Sequence, residues 1–441
     1  MSKKMGFGAV LAIVFGSQIG SGIFILPSTL APYGKFAIYG WILAGLGAIL
    51  LALVFADLCS RYPHVGGPHV YVKAVFGRIP SFFVGWAYWL VSWISSTVVV
   101  VSCVAYLTPI VGNMSTSMTL LAEISLLLLI TGVNCRSVES AGRLESVLVF
   151  LKFIPFALVP AVIFGHFDAS NIIVTDHYAG ISDFKLIVMV VSICFWGFIG
   201  VECATAPAGF VHNPSKTIPR AIIIGTCGVA AVYILNNTVI MGVIPGHVLV
   251  NSKAPFVDAI SVAMGNASAW LVMLSLVASI VCLGTLNAWV LTSAQISLGL
   301  AQDNLLPRFF GQKNRFGSPY ISILISCAGT IPVLILTKYE SMAEQVTSII
   351  DISVKTFIVV YLVCCLAFLK ISIQERKICK SIVGIMASSF CILMLHDSDL
   401  QSAIIVASFF LSGVLILPLM QRHEKQAKLV ENLKKSKAGF F

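Results

Sequence analysis

Apolar runs of about twenty residues, separated by short polar pieces, set the pattern of this 441-residue chain. A bilayer core of roughly 30 Å is crossed by about 20 apolar residues in a helix. Runs of that kind predict twelve spans, near 7–27, 36–57, 83–108, 117–134, 146–165, 186–209, 221–244, 267–298, 319–337, 346–369, 381–395 and 402–420, the eleventh being short. The longest polar pieces are the 58–80 loop and the tail after 421, so no soluble domain is left over. The expectation is an all-α membrane protein with one polytopic domain over 1–420 and a basic tail over 421–441. The first run, after Met1–Lys4, is longer than a signal-peptide core and lacks a small-residue cleavage site, so it reads as an uncleaved span.

Two runs are broken by glycine at matching places. Gly20-Ser21-Gly22 interrupts Phe7–Pro27, and Gly197-Phe198-Ile199-Gly200-Val201-Glu202 interrupts Leu186–Gly209. They open the first (7–165) and second (186–369) groups of five spans, with 381–420 supplying two further helices. Hydrocarbon satisfies no free N–H or C=O, so a helix unwinds in a membrane only where it lines a cavity or binds something. Paired interruptions in two halves therefore point to a transporter's substrate site.

Composition agrees: 58% of residues are hydrophobic, 10% are charged, and mean hydropathy is +0.97, where a soluble chain carries about 25% charge. The net charge of +10 would suggest nucleic acid in a soluble protein, but its placement argues otherwise. With both termini inside, the inward loops and tail hold twenty-two Lys and Arg, and the outward loops hold Lys35, Lys185, Lys253 and Lys338. The positive-inside rule then sets the topology. The tail reads as a solvated topology anchor, or as a segment lying on anionic lipid. The twelve cysteines are scattered without metal spacing and read as packing. There is no nucleotide loop, nucleophile elbow or zinc helix, so no cofactor is expected and uphill transport would draw on another gradient.

Intramembrane charges are costly and mark function by default. Glu202 follows the second break directly, as a cation- or proton-binding carboxyl or as a structural tie for broken backbone. Lys152 lies mid-span on the fifth helix, too deep for easy snorkelling. Lys355 has three readings: snorkelling, pairing with Asp351 one turn away, or reaching the cavity. Of the aromatic residues, Trp196 and Trp289 sit well inside their spans, where a flat ring can hold a cation. Tyr88 and Trp89 lie on the third span, and Trp86 and Trp93 read as anchors or packing.

Gly20-Ser21-Gly22-Ile23-Phe24 with Leu26-Pro27, Pro63-His64-Val65-Gly66-Gly67, Trp196 through Glu202, Asn213-Pro214 and Ile218-Pro219 carry a resemblance. The chain resembles the amino acid–polyamine–organocation transporter superfamily, and within it the bacterial basic amino acid/polyamine antiporters of the arginine/agmatine kind, from Met5 to about Leu419.

That resemblance implies a leucine-transporter-type fold: spans 1–5 and 6–10 as inverted repeats, 11 and 12 peripheral. It implies that the Ser21-Gly22 backbone receives the substrate carboxylate, that Ile199-Gly200 receives the α-amine, and that Trp196 stacks on the side chain. Ser92, Ser96 and Ser353 match substrate-contacting positions, Tyr88, Trp289 and Tyr361 match gates, and Glu202 matches the proton-linked carboxylate. Lys152 matches a fifth-helix lysine of sodium-independent relatives, where its ammonium stands at a sodium position. Departures fall at Ser17, Ser96, Val99 and Val91 in the pocket, and at His69, where a tyrosine is usual. Two transport readings result: exchange of an arginine-like amino acid for its agmatine-like amine, or proton-coupled uptake. A channel or a sensing receptor fits neither the paired breaks nor the missing signalling domain. The expected partners are a small amino acid or amine and the bilayer of the inner membrane, with a homodimer left open and no nucleic acid.

Overall fold

The computed structural model describes residues 4–416 and 418, apart from 113, 174–180, 253, 266–267, 339–341 and 397–399. Lys3, Lys253, the 421–441 tail and the end of the last expected span lie outside the described residues.

The helices in chain order are α1 (Phe7–Gln18), α2 (Gly22–Leu30), α3 (Lys35–Arg61), α4 (Pro68–Phe76), α5 (Arg78–Ala105), α6 (Thr108–Val111), α7 (Thr116–Arg136), α8 (Val138–Ile163) and α9 (Asp183–Phe195). They continue as α10 (Pro214–Val243), α11 (Gly246–Leu249), α12 (Pro255–Met264), α13 (Ser268–Gln302), α14 (Tyr320–Leu336), α15 (Met342–Gln374), α16 (Ile378–His396) and α17 (Leu400–Ser412). Among the described residues, ten helical stretches are long and apolar enough to cross a membrane. The first is Phe7–Leu30, which contains the break. The expected ninth and twelfth runs form shorter apolar helices, Tyr320–Leu336 and Leu400–Leu415. The chain is thus a multi-pass, all-helical membrane protein.

Local chemistry moves some expected boundaries. The fifth span begins at Val138 rather than near 146, because Ser137 caps it: its Oγ accepts the Ser140 N–H at 2.9 Å, and Glu139 sits in the first turn. A cap of this kind stabilises a helix start by about 1 kcal/mol, and an acidic first turn complements the helix dipole. Glu145 therefore lies inside a membrane helix and not at its edge. The 58–80 segment is not all loop. Gly66 and Gly67 take positive φ (118° and 67°), and Pro68 then opens α4 at its first position, where a missing N–H costs nothing. The α12 helix likewise occupies part of the connection between α10 and α13.

Packing places the first broken segment centrally. Helix α1 lies against α8, α10 and α13, while α3 covers α9 and α10, and α5 lies between α13 and α15. Met5 extends this contact: its N–H donates to Phe210 O at 2.8 Å and its carbonyl accepts from His212 N at 2.9 Å. The two broken segments thus share one neighbourhood.

Candidate functional site

Helix α1 stops at Gln18 and α2 starts at Gly22, with Ile19 in an extended conformation (φ −83°, ψ 97°). Unwinding frees peptide carbonyls that hydrocarbon cannot satisfy, and side chains of other helices take them up. Lys152 Nζ donates to Gly16 O at 3.0 Å and to Ile19 O at 2.9 Å. Thr285 Oγ1 lies 2.9 Å from each of the same two oxygens and can donate to one at a time. Tyr233 donates to Gln18 O at 3.0 Å, and Tyr106 to Ser21 O at 3.2 Å.

The second break is built differently. Helix α9 ends at Phe195, a tight turn covers Trp196–Phe198, and Gly200 follows at φ +106°. That conformation favours glycine, and space demands it too: a Cβ there would lie 2.9 Å from the Ser17 Cβ. Ser17 Oγ stands 3.0 Å from Gly200 O, tying the first break to the second. The Gly200 N–H donates to Tyr361 Oη at 3.3 Å, and Tyr361 in turn donates to Glu202 Oε2 at 2.5 Å. Tyr88 donates to Glu202 Oε1, also at 2.5 Å. Both carboxylate oxygens of this fully buried residue are therefore occupied by tyrosine hydroxyls, with no cation beside them among the described residues.

Between the breaks lies a cavity lined by Ser17, Gln18, Gly20, Ser21, Gly22, Ser95, Val99, Trp196, Gly197, Ile199, Tyr233, Thr285 and Trp289. Of the residues singled out above, Ser17, Gly20, Ser21, Gly22, Val99, Trp196, Gly197, Ile199 and Trp289 meet there. The Trp196 ring stands over Gly22, where an added Cβ would come within 3.2 Å of Trp196 Cδ1. Gly200, Glu202, Tyr88 and Tyr361 form the layer behind. Ser92 and Ser96 are not among the lining residues. Ser92 Oγ donates to Trp89 O at 2.7 Å, Ser96 Oγ to Ser92 O at 2.9 Å, and Ser96 faces a second small cavity against α14. The serine of this helix that reaches the central cavity is Ser95. Ser353 is buried away from it, its Oγ without a hydrogen-bond partner among the described residues.

Gln18, Ser95, Tyr233 and Thr285 were missed by sequence reasoning. Ser95 is one residue from a named serine; the others look like ordinary polar or aromatic residues in apolar helices. Lys355 pairs with Asp351 Oδ2 at 2.6 Å, one helical turn away. His69 is buried on α4, Nε2 3.3 Å from Asp303 Oδ2, and Lys73 reaches Asp303 Oδ1 at 2.5 Å. Burial alone would raise the Asp303 carboxyl, but His69 and Lys73 outweigh it and hold it at about 2.

The family model for amino acid permeases matches residues 5–426. The chain belongs to the amino acid permease family. This permease is 29% identical over 443 residues to the cadaverine/lysine antiporter of Escherichia coli strain K12, covering 98% of both chains. It is 28% identical over 366 residues to the putrescine transporter PotE of the same strain, covering 82% of each. The putrescine transporter PotE of Haemophilus influenzae matches at 28% over 362 residues, with 82% of this permease and 83% of that protein covered. The permease is accordingly a transporter and not an enzyme.

Proposed function

We propose that this permease exchanges a basic amino acid for its decarboxylated amine by alternating access, with an arginine-like amino acid and an agmatine-like amine as the first exchange pair to test. The observation that carries the reading is the cavity between two broken helices, with peptide groups on two sides, the Trp196 ring over Gly22 and the Glu202 carboxyl behind. Free peptide groups recognise the α-amino and carboxylate groups common to all amino acids, and an aromatic face suits a cationic side chain. The names of the antiporters it resembles support the same class. In this reading Ser21 and Gly22 receive the carboxylate, Ile199 and Gly200 the amine, and Trp196 the side chain. Tyr88, Trp289 and Tyr361 gate the site, and Glu202 and Lys152 couple protons. Ser95 and Val99 take the side-chain pocket role in place of Ser92 and Ser96. Twelve spans, a 5+5 inverted repeat, cytoplasmic termini and an inner-membrane location complete the proposal.

One observation favours a second reading, proton-coupled and sodium-independent uptake. The Lys152 ammonium contacts Gly16 O, Ile19 O and Thr285 Oγ1, three oxygens that would suit a small cation. Proteoliposomes decide between the two. Labelled lysine or arginine is offered with cadaverine, agmatine or nothing inside, at pH 5.5 and 7.5, in sodium or choline buffer. Exchange requires an internal partner; uptake into empty vesicles driven by a pH gradient alone would favour the second reading.

A further inference from the structure

Beyond Glu202, one more carboxyl among the described residues, that of Glu145, is completely buried against the broken part of α1. Glu145 lies on α8, seven residues before Lys152, about 10.5 Å along the helix axis. Its Oε2 accepts from Asn287 Nδ2 at 2.7 Å. Asn287 also donates to Ala141 O at 3.0 Å, and its Oδ1 accepts from Asn134 Nδ2 at 3.0 Å. The other oxygen, Oε1, has no hydrogen-bond partner among the described residues. It rests against Gly16, where an added Cβ would lie only 1.7 Å away. Gly16 is also the residue whose carbonyl Lys152 holds. The carboxyl and the ammonium therefore grip one residue of α1 from two sides.

We propose that Glu145 is a second proton-binding group of this permease, paired with Lys152 across Gly16, which exchanges its proton with water when α1 moves off it. The inference rests on the proton-coupled reading of the same site and assigns a further residue to it. A charged Oε1 finds no donor while α1 is seated, and an unpaired buried charge is costly. Once α1 withdraws, that oxygen meets water. Proton occupancy then differs between the two arrangements, and a difference of that kind couples proton binding to the movement. Among the described residues, no other charge acts on the pair. Helix α1 carries no titratable side chain; α13 presents the neutral Asn287 to Glu145 and the Cys282 thiol to Lys152; α7 presents the neutral Asn134. Helices α10 and α12 add no charge acting on either group, and Glu139 and Arg143 pair with each other on the outer face of α8 at 2.6 Å.

The test uses the full chain in proteoliposomes with a pH-sensitive dye inside. The probe is whichever of lysine, arginine and ornithine the wild type exchanges fastest. Exchange rate and proton movement are followed from about pH 5 to 8, a range that covers buried carboxyls. Glu145→Gln is expected to move the midpoint of the pH profile by about one unit or more while probe affinity changes less than about threefold, since Glu145 does not line the cavity. A Glu145→Gln profile that overlays the wild type overturns the inference and leaves the proton-coupled reading standing. A flat wild-type profile without proton movement defeats both. Should Glu145→Gln fail to assemble, Glu145→Asp takes its place: a displaced midpoint supports the inference and an overlaid one overturns it.

Discussion

Replacing Lys152 with methionine keeps most of the side chain's volume and removes its three donors. Two buried carbonyls, Gly16 O and Ile19 O, then depend on Thr285, whose hydroxyl carries one proton. One carbonyl loses its partner, at about 1–3 kcal/mol. Glu145 loses the Lys152 cation acting on it, and leaving a buried charge without its partner costs about 3–5 kcal/mol unless the group neutralises. The two losses share the same rearrangement, so a total of about 2–5 kcal/mol is expected rather than their sum. The assay is thermal unfolding of the detergent-purified protein, followed by tryptophan fluorescence, beside Lys152→Arg, which keeps the charge. Lys152→Met should unfold several degrees lower and transport poorly, and wild-type transport should be equal in sodium and choline buffers. A variant as stable as the wild type would show that the ammonium does not hold the broken helix together. A steep sodium requirement in the wild type would refute the idea that the ammonium stands where a cation would bind.

Three further outcomes are expected. Trp196→Leu should weaken binding of lysine, arginine and their amines by about 0.5–2 kcal/mol, or roughly 2–30-fold in Kd, measured by calorimetry; an equal loss for neutral amino acids would reduce the ring to packing. Glu202→Gln keeps the shape between Tyr88 and Tyr361 but cannot titrate, so it should retain substrate binding and lose most of the pH dependence of initial uptake; a profile overlaying the wild type would remove Glu202 from proton coupling. Asp303→Asn should destabilise the protein at pH 5 by about 1–2 kcal/mol after allowance for solvent screening. Because His69 and Lys73 overcome burial and hold the folded carboxyl at about 2, this contribution is present above the ordinary carboxyl value near 3.9. It is lost as pH falls from there through about 2, so the thermal gap between the two proteins should narrow below about pH 4.

Much of the site was legible in the sequence because its strongest signals are violations of a rule. Glycine pairs inside apolar runs, a carboxylate beside one of them and a mid-span lysine all contradict what hydrocarbon tolerates, and each marks the cavity or its supports. The rest was hidden for physical reasons. Neighbouring positions on a helix differ by about 100° in direction, so a serine cluster at Ser92, Ser95 and Ser96 does not reveal which member faces inward without the packing of α5. Tyr233, Tyr106 and Thr285 act on freed carbonyls, but a single hydroxyl in an apolar helix has no distinguishing pattern. Glu145 was lost with the start of its helix: Glu139, Arg143 and Glu145 lower the local hydropathy, so the apolar run begins at 146 although the Ser137 cap begins the helix at Val138. The ninth span follows its apolar run closely: α14, Tyr320–Leu336, has 17 residues, about 26 Å at 1.5 Å each.

The freed peptide groups of the two breaks have a practical consequence for mapping this site. A main-chain amide or carbonyl survives every side-chain substitution, so an alanine scan leaves the groups at Ser21, Gly22, Ile199 and Gly200 in place. What such a scan would register is the loss of the props: Lys152, Thr285, Tyr233, Tyr106, Tyr88 and Tyr361. The strongest phenotypes would then appear at side chains that hold the freed backbone, on α5, α8, α10, α13 and α15, whether or not they also line the cavity. The backbone groups proposed to receive the substrate would look silent, except where glycine is replaced by something that cannot take its backbone shape. Ester-for-amide replacement at these four residues, which removes a single N–H donor at a time, is the chemistry suited to reading them directly.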